Sequence, residues 1–167
     1  MDICSPFDDL IPWHQLDNGR LFYILLGGAP RLAMKVELAG ERGTSIGCLF
    51  FAPKMALKYE QGNCTVFPLA KAALTPGQLG TAPNEYPQPG ELVQMQGGPH
   101  LIVVDAGDYP RAVQMSTGTV RQTRPRYPDE MVVPFRDWKI VLPSPLSPNK
   151  WEVIHECRQS PTETAER

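Results

Sequence analysis

Leu21-Phe22-Tyr23-Ile24-Leu25-Leu26-Gly27-Gly28-Ala29-Pro30-Arg31-Leu32-Ala33-Met34-Lys35-Val36-Glu37-Leu38 decides the fold class. A short apolar, aromatic-rich run meets a Gly-Gly turn. The chain then resumes with Leu32, Met34, Val36 and Leu38 alternating with Arg31, Lys35 and Glu37. A period of two on the far side of a turn reads as a β-hairpin whose second strand has one buried face and one wet face. Gly40-Glu41-Arg42-Gly43 turns the chain into Ser45 to Phe51, which Pro53 ends, so a third strand completes a meander.

Downstream the pattern is less even. Lys54 to Glu60 fits one helical turn or a strand, and Leu69 to Leu74 reads as helix-like until Pro76 stops it. Residues 76–89, with four prolines and only Leu79 and Tyr86 as large apolar groups, read as a connector. A second β-rich block follows: Glu91 to Gln96, a Gly97-Gly98-Pro99 turn, His100 to Asp105, Arg111 to Ser116, Val120 to Thr123, Met131 to Phe135 and Trp138 to Leu142. Prolines 125, 128, 134 and 143 delimit the later pieces, as they do at edge strands and turns. Trp151, Val153, His155 and Cys157 alternate with Glu152 and Glu156, which favours a strand over a helix capped at Ser147-Pro148. The expected organisation is a β-rich half over 1–75, the connector over 76–89, a second β-rich half over 90–157 and a mobile tail over 158–167.

Composition bounds the function. The 167 residues are 42% apolar and 20% charged, enough for a core, while 18 prolines and 14 glycines leave no room for long helices. Sixteen Lys and Arg against eighteen Asp and Glu give a net charge of -2, so no global field draws the chain to nucleic acid or an anionic membrane. The start, Met1-Asp2-Ile3-Cys4-Ser5-Pro6, is acidic and proline-broken where an export signal is basic and then apolar. The expectation is a cytoplasmic protein without membrane contact. Cys4, Cys48, Cys64 and Cys157 contain no C-x-x-C pair, which removes zinc-finger spacing and favours small buried thiols.

The two halves also echo one another. Gly19-Arg20-Leu21-Phe22 is answered by Gly90-Glu91-Leu92-Val93, Gly27-Gly28 by Gly97-Gly98, and Pro30 and Leu32 by Pro99 and Leu101. This is the pattern of a duplication, or of two hairpins closed by the same turn chemistry. Gly90-Glu91-Leu92-Val93-Gln94-Met95-Gln96-Gly97-Gly98-Pro99-His100-Leu101-Ile102-Val103-Val104 resembles the opening of small uncharacterised bacterial proteins with the signature Gly-Asp-x-Val-x-Leu-x-Ser-Gly-Gly-Pro-x-Met-x-Val. It is similar, more loosely, to the KOW element of SH3-like barrels in ribosomal and transcription proteins. Glu91 stands for Asp, the Ser before Gly-Gly is missing, and Leu101 stands for Met. In the first half Cys48-Leu49-Phe50-Phe51 occupies the place where those proteins end a strand Cys-x-Trp-Tyr or Cys-x-Trp-Phe. The resemblance implies two small antiparallel barrel-like or sandwich-like halves, a binding role, and no catalytic residues.

Candidate chemistry is sparse. His100, Asp105 and Asp108 lie within nine positions, and an imidazole with two carboxylates is a donor set for a divalent metal; Asp105-Ala106-Gly107-Asp108 equally has the composition of a turn. No G-x-S-x-G elbow occurs, Cys48 and Cys64 have no neighbouring His, and the Gly-Gly pairs are followed by proline rather than a phosphate-binding helix. Thr117 to Pro128 is the one stretch with three cations, an aromatic and no acid; Arg121, Arg124, Arg126 and Tyr127 suit single-stranded RNA or DNA, or a charged edge strand. Trp13, Trp138 and Trp151, with Phe50, Phe51 and Phe135, are expected in the core. The function expected is a non-catalytic binding or accessory module without cofactor. It would contact a protein partner or itself through Tyr109, Arg121, Arg124, Arg126 and Tyr127. Nucleic-acid binding by the arginines and a small metal-dependent enzyme using His100, Asp105 and Asp108 are the alternatives.

Overall fold

A computed structural model of the chain describes residues 10–40, 43–52, 54–58, 64–80, 86–95, 98–106, 109–122, 125–126, 132–135, 137–144 and 147–158. The expected mainly β, antiparallel class with little helix holds. The strands are β1 (Ile11–Pro12), β2 (Leu21–Leu26), β3 (Ala29–Gly40), β4 (Gly43–Phe50), β5 (Ala56–Lys58), β6 (Thr65–Pro68) and β7 (Ala73–Pro76). They continue with β8 (Leu92–Met95), β9 (His100–Val104), β10 (Arg111–Gln114), β11 (Val120–Arg121), β12 (Val132–Phe135), β13 (Asp137–Ser144) and β14 (Ser147–Arg158). The helical element among the described residues is a single 3-10 turn, Trp13–Gln15. No helix there is long and apolar enough to cross a membrane.

Three antiparallel sheets form, with strand orders β1-β6-β2-β3-β4-β5, β11-β10-β9-β8-β12 and β14-β13-β7. Among the described residues none closes into a barrel; the three sheets are open. The opening hairpin pairs Leu21 with Met34 through Leu26 with Ala29. Gly27 and Gly28 turn it at φ 59° and 80°, the left-handed pair that a two-residue primed turn requires. Within the stretch 54–60, Ala56–Lys58 form strand β5 rather than a helical turn, pairing Leu49 with Leu57, and residues 59–60 lie outside the described residues. The helix-like stretch 69–74 is instead a turn with Lys71 at φ 65°, followed by β7. Its apolar residues are consumed by pairing with β13, which no local pattern reveals.

β3 departs from the one-wet-face expectation. Leu32, Met34 and Val36 face the main core, while Ala33 on the other face packs with Phe22, Cys48, Phe50, Val66, Trp13 and Leu16. Lys35 lies in that second face and is only 5% exposed. Its ammonium donates to the carbonyls of Trp13 and His14, each at 3.4 Å, and of Leu16, and sits 4.9 Å from the Trp13 ring centroid. A buried cation is tolerated because carbonyl oxygens in and just after the 3-10 turn accept its hydrogen bonds. The lysine thus ties the segment before β2 onto the sheet.

All three sheets meet in one core. Leu32, Met34 and Leu49 come from the first sheet, Leu92, Ile102 and Val113 from the second, Trp138 and Ile140 from the third. The five-stranded sheet buries its other face in a smaller cluster of Val93, Leu101, Ala112 and Val132. Strand β7, which spans the boundary between residues 75 and 76, lies against β13, pairing Leu74 with Ile140 and Pro76 with Trp138. The chain beyond it stays docked: Gly77 donates to the Asp137 carbonyl at 2.9 Å, Gln78 to Asp137 Oδ1 at 2.8 Å, and Gly80 to the Pro134 carbonyl at 2.9 Å.

A glycine pair forms a second junction. Gly19 donates to the Lys35 carbonyl at 2.8 Å, and Glu37 donates to the Gly118 carbonyl at 2.9 Å. Gly19 and Gly118 have φ 78° and 72°, and a Cβ on Gly118 would lie 2.4 Å from the Lys35 oxygen and 2.5 Å from the Gly19 nitrogen. Only glycine allows the two backbones this close.

Candidate functional site

β14 carries two different surfaces, and a bulge separates them. Its ladder with β13 runs from Trp138↔Cys157 to Ile140↔His155, then steps to Val141↔Val153, so Ile154 is an extra residue. One inserted residue switches the face that the following side chains take. His155 and Cys157 therefore share the core side with Trp138 and Ile140, whereas Val153 and Trp151 lie on the outer side with Val141 and Pro143.

On the core side, His155, Cys157, Phe51, Met55, Val104 and the backbone of Gly90 line a cleft of about 350 Å³, together with the charged groups of Lys54, Asp105, Glu156 and Arg158. The His155 ring packs 5.4 Å from Phe51 and 5.2 Å from Trp138, centroid to centroid. Burial lowers its pKa, and its Nε2 has no hydrogen-bond partner among the described residues. Cys157 Sγ lies 3.6 Å from the Gly90 carbonyl, which also accepts from Trp138 Nε1 at 3.0 Å, and burial raises the thiol. An activated Cys–His pair works as thiolate and imidazolium. Both shifts here run the other way and favour the neutral forms. Charge sits beside this pair: Lys54 and Asp105 are 3.3 Å apart, and Glu156 meets Lys139 and Arg158 at 3.1 Å each. Those hydrogen bonds, Lys139 first and Arg158 second, hold the Glu156 carboxyl below its usual range.

On the outer side, Trp151 is 54% exposed and Val153 is 52% exposed. The expectation that Trp151 joins Trp13 and Trp138 in the core is corrected: the latter two are buried, and the bulge at Ile154 turns Trp151 outward. Asn149, Lys150 and Glu152 beside it are also exposed, so a run of five solvent-facing residues occupies the outermost strand of its sheet.

The residues singled out from sequence are dispersed. Tyr109 is 74% exposed in the approach to β10. Arg121 on β11 places its guanidinium 3.0 Å from Met95 Sδ, and Arg126 lies 6.0 Å over the Tyr86 ring, so the two arginines face different neighbours within the chain. Arg124 and Tyr127 lie outside the described residues, as does Asp108. His100 opens β9, its ring 5.8 Å from Phe135, with its pKa lowered by burial. Asp105 follows the other end of the same strand, about 16 Å away at extended spacing, and is paired with Lys54. Among the described residues no group of three or more His, Cys, Asp and Glu side chains converges as a metal site. The alternation of Trp151, Val153, His155 and Cys157 reads as a strand, but the switch of faces depends on a bulge that only the pairing with β13 creates.

Comparison with protein-family models, curated proteins and solved structures finds no match.

Proposed function

We propose that this chain is a non-catalytic β module that works by protein–protein contact, with the outer side of β14 as its contact surface. One observation carries the reading: Trp151 and Val153, each more than half exposed, stand side by side on the outermost strand of a sheet. Large exposed apolar groups cost water contact, and tryptophan is the residue type most concentrated at binding hot spots. An outer strand also offers backbone groups for pairing with another chain. The resemblance of residues 90–104 to small SH3-like proteins, and the echo between the two halves, support recognition rather than reaction. The free thiol of Cys157 suits a reducing cytoplasmic setting.

The contact surface shifts from Tyr109 and the arginines to β14. Arg121 and Arg126 already contact Met95 and Tyr86, so their use by a partner or a nucleic acid requires giving up interactions within the chain. The test is quantitative cross-linked capture with the full chain, comparing wild type with Trp151→Ala and Arg121→Ala. Loss of captured protein in Trp151→Ala alone supports the reading. Unchanged capture in that variant, or salt-sensitive retention of RNA that Arg121→Ala removes, overturns it.

A further inference from the structure

We infer that the partner of β14 is a second copy of this chain, joined by antiparallel pairing of the two β14 strands about a two-fold axis at Trp151. The inference rests on β14 being the contact surface. Among the described residues β14 pairs only with β13, and none of them pairs with its far edge. Residues 148–150 lie outside the β13 ladder, which steps from Pro143↔Trp151 to Ser144↔Ser147. On that far edge the backbone N–H and C=O groups of β14 have no ladder partner among the described residues, and unpaired strand backbone is a template for another strand.

The sequence of the exposed run selects the register. An axis at Trp151 sets Lys150 opposite Glu152 twice, Trp151 opposite Trp151, and Asn149 opposite Val153. Neither Lys150 nor Glu152 has an ion-pair partner among the described residues, so both charges are available to the mate. Moving the axis to Glu152 puts two like carboxylates face to face. Moving it to Val153 sets Lys150 opposite Glu156, whose carboxylate is already held by Lys139 and Arg158. Opposite charges directly across a pair stabilise it and like charges destabilise it, and aromatic cross-strand pairs add to the gain. The register centred on Trp151 alone satisfies both rules.

The ladder is short, because Pro148 lacks a donor on one side and the Ile154 bulge interrupts the other. The dimer continues the sheet as β7-β13-β14 against its two-fold copy, an isologous contact that closes on itself. Its size is at the low end for specific interfaces, the class to which weak, transient contacts belong.

The test is sedimentation of the full chain from micromolar to millimolar concentration, with circular dichroism confirming that every variant keeps its strands. Wild type is expected to dimerise reversibly. Lys150→Glu and Glu152→Lys each place like charges across both symmetric pairs and weaken the dimer by at least about tenfold. An equimolar mixture of the two variants restores complementarity and forms a one-to-one dimer. A wild type that stays monomeric, or single variants that dimerise as well as wild type, overturns the inference. If the monomer still captures a different protein through Trp151, the contact-surface reading stands and only self-pairing falls; if Trp151→Ala changes no capture, both fall.

Discussion

Replacing Gly118 by alanine is predicted to destabilise the fold far more than the same change at Gly28, although both glycines are left-handed. Their φ values are 72° and 80°, so the added Cβ meets the same local backbone penalty at each, about 1–2 kcal/mol. Restricting the unfolded chain returns about 0.4–1 kcal/mol in both variants and cancels in the comparison. The surroundings differ. Around Gly28 a Cβ meets nothing within 4 Å, whereas at Gly118 it would stand 2.4 Å from the Lys35 carbonyl oxygen and 2.5 Å from the Gly19 nitrogen. Both neighbours are backbone atoms of the first sheet and its approach, so relief requires moving the chain. The hydrogen bond from Glu37 to the Gly118 carbonyl, 2.9 Å long, moves with it. Overpacking of this kind costs about 1–3 kcal/mol beyond the conformational penalty. The assay is equilibrium urea unfolding of wild type and both variants, followed by far-UV circular dichroism. Gly118→Ala should lose about 2–4 kcal/mol and Gly28→Ala about 1 kcal/mol. For a chain of this length that gap is worth roughly 2–4 °C in Tm per kcal/mol. Equal losses in the two variants would refute the close approach of Gly19 and Gly118.

Lys35→Met keeps the aliphatic stem but removes the ammonium that donates to the carbonyls of Trp13, His14 and Leu16, of which Trp13 retains the Leu16 N–H; a thermal scan should register a loss of about 1–3 kcal/mol. Burial keeps the His155 imidazole neutral in the fold, while the unfolded chain binds its proton near the ordinary value of about 6.5. Its contribution is therefore complete above that pH and is lost as pH falls toward the lowered folded value. His100 acts in the same direction, so His155→Phe should flatten part of the decline measured by urea unfolding between neutral and mildly acidic pH. The Cys157 thiol, raised by burial, should react with iodoacetamide at least about tenfold more slowly in the native protein than in denaturant, as read by peptide mass spectrometry.

Much of the fold was legible in the residues themselves. The alternation of Leu32, Met34 and Val36, the Gly27-Gly28 turn, and the short runs around Val93, Ile102, Val113 and Val133 identify β2, β3, β8, β9, β10 and β12, because side-chain period and turn chemistry are local properties. Residues 54–75 were not legible: β5 and β6 gain their conformation from pairing with β4 and with β1 and β2, and β7 from pairing with β13, more than sixty positions away.

The candidate site divides in the same way. The alternation of Trp151, Val153, His155 and Cys157 in the sequence determined a strand, and it also determined the neighbouring charges Lys150 and Glu152. Strict period two puts all four alternating residues on one face. Tertiary structure decided otherwise, since matching β14 to β13 inserts Ile154 and sends the first pair to solvent and the second to the cleft. Lys35 follows the same logic: its charge and position in a strand were evident, but its burial depends on a 3-10 turn from an earlier segment folding over it. Which face of a strand is covered is set by what packs against it, and that partner is chosen by shape and hydrogen bonding across the whole chain.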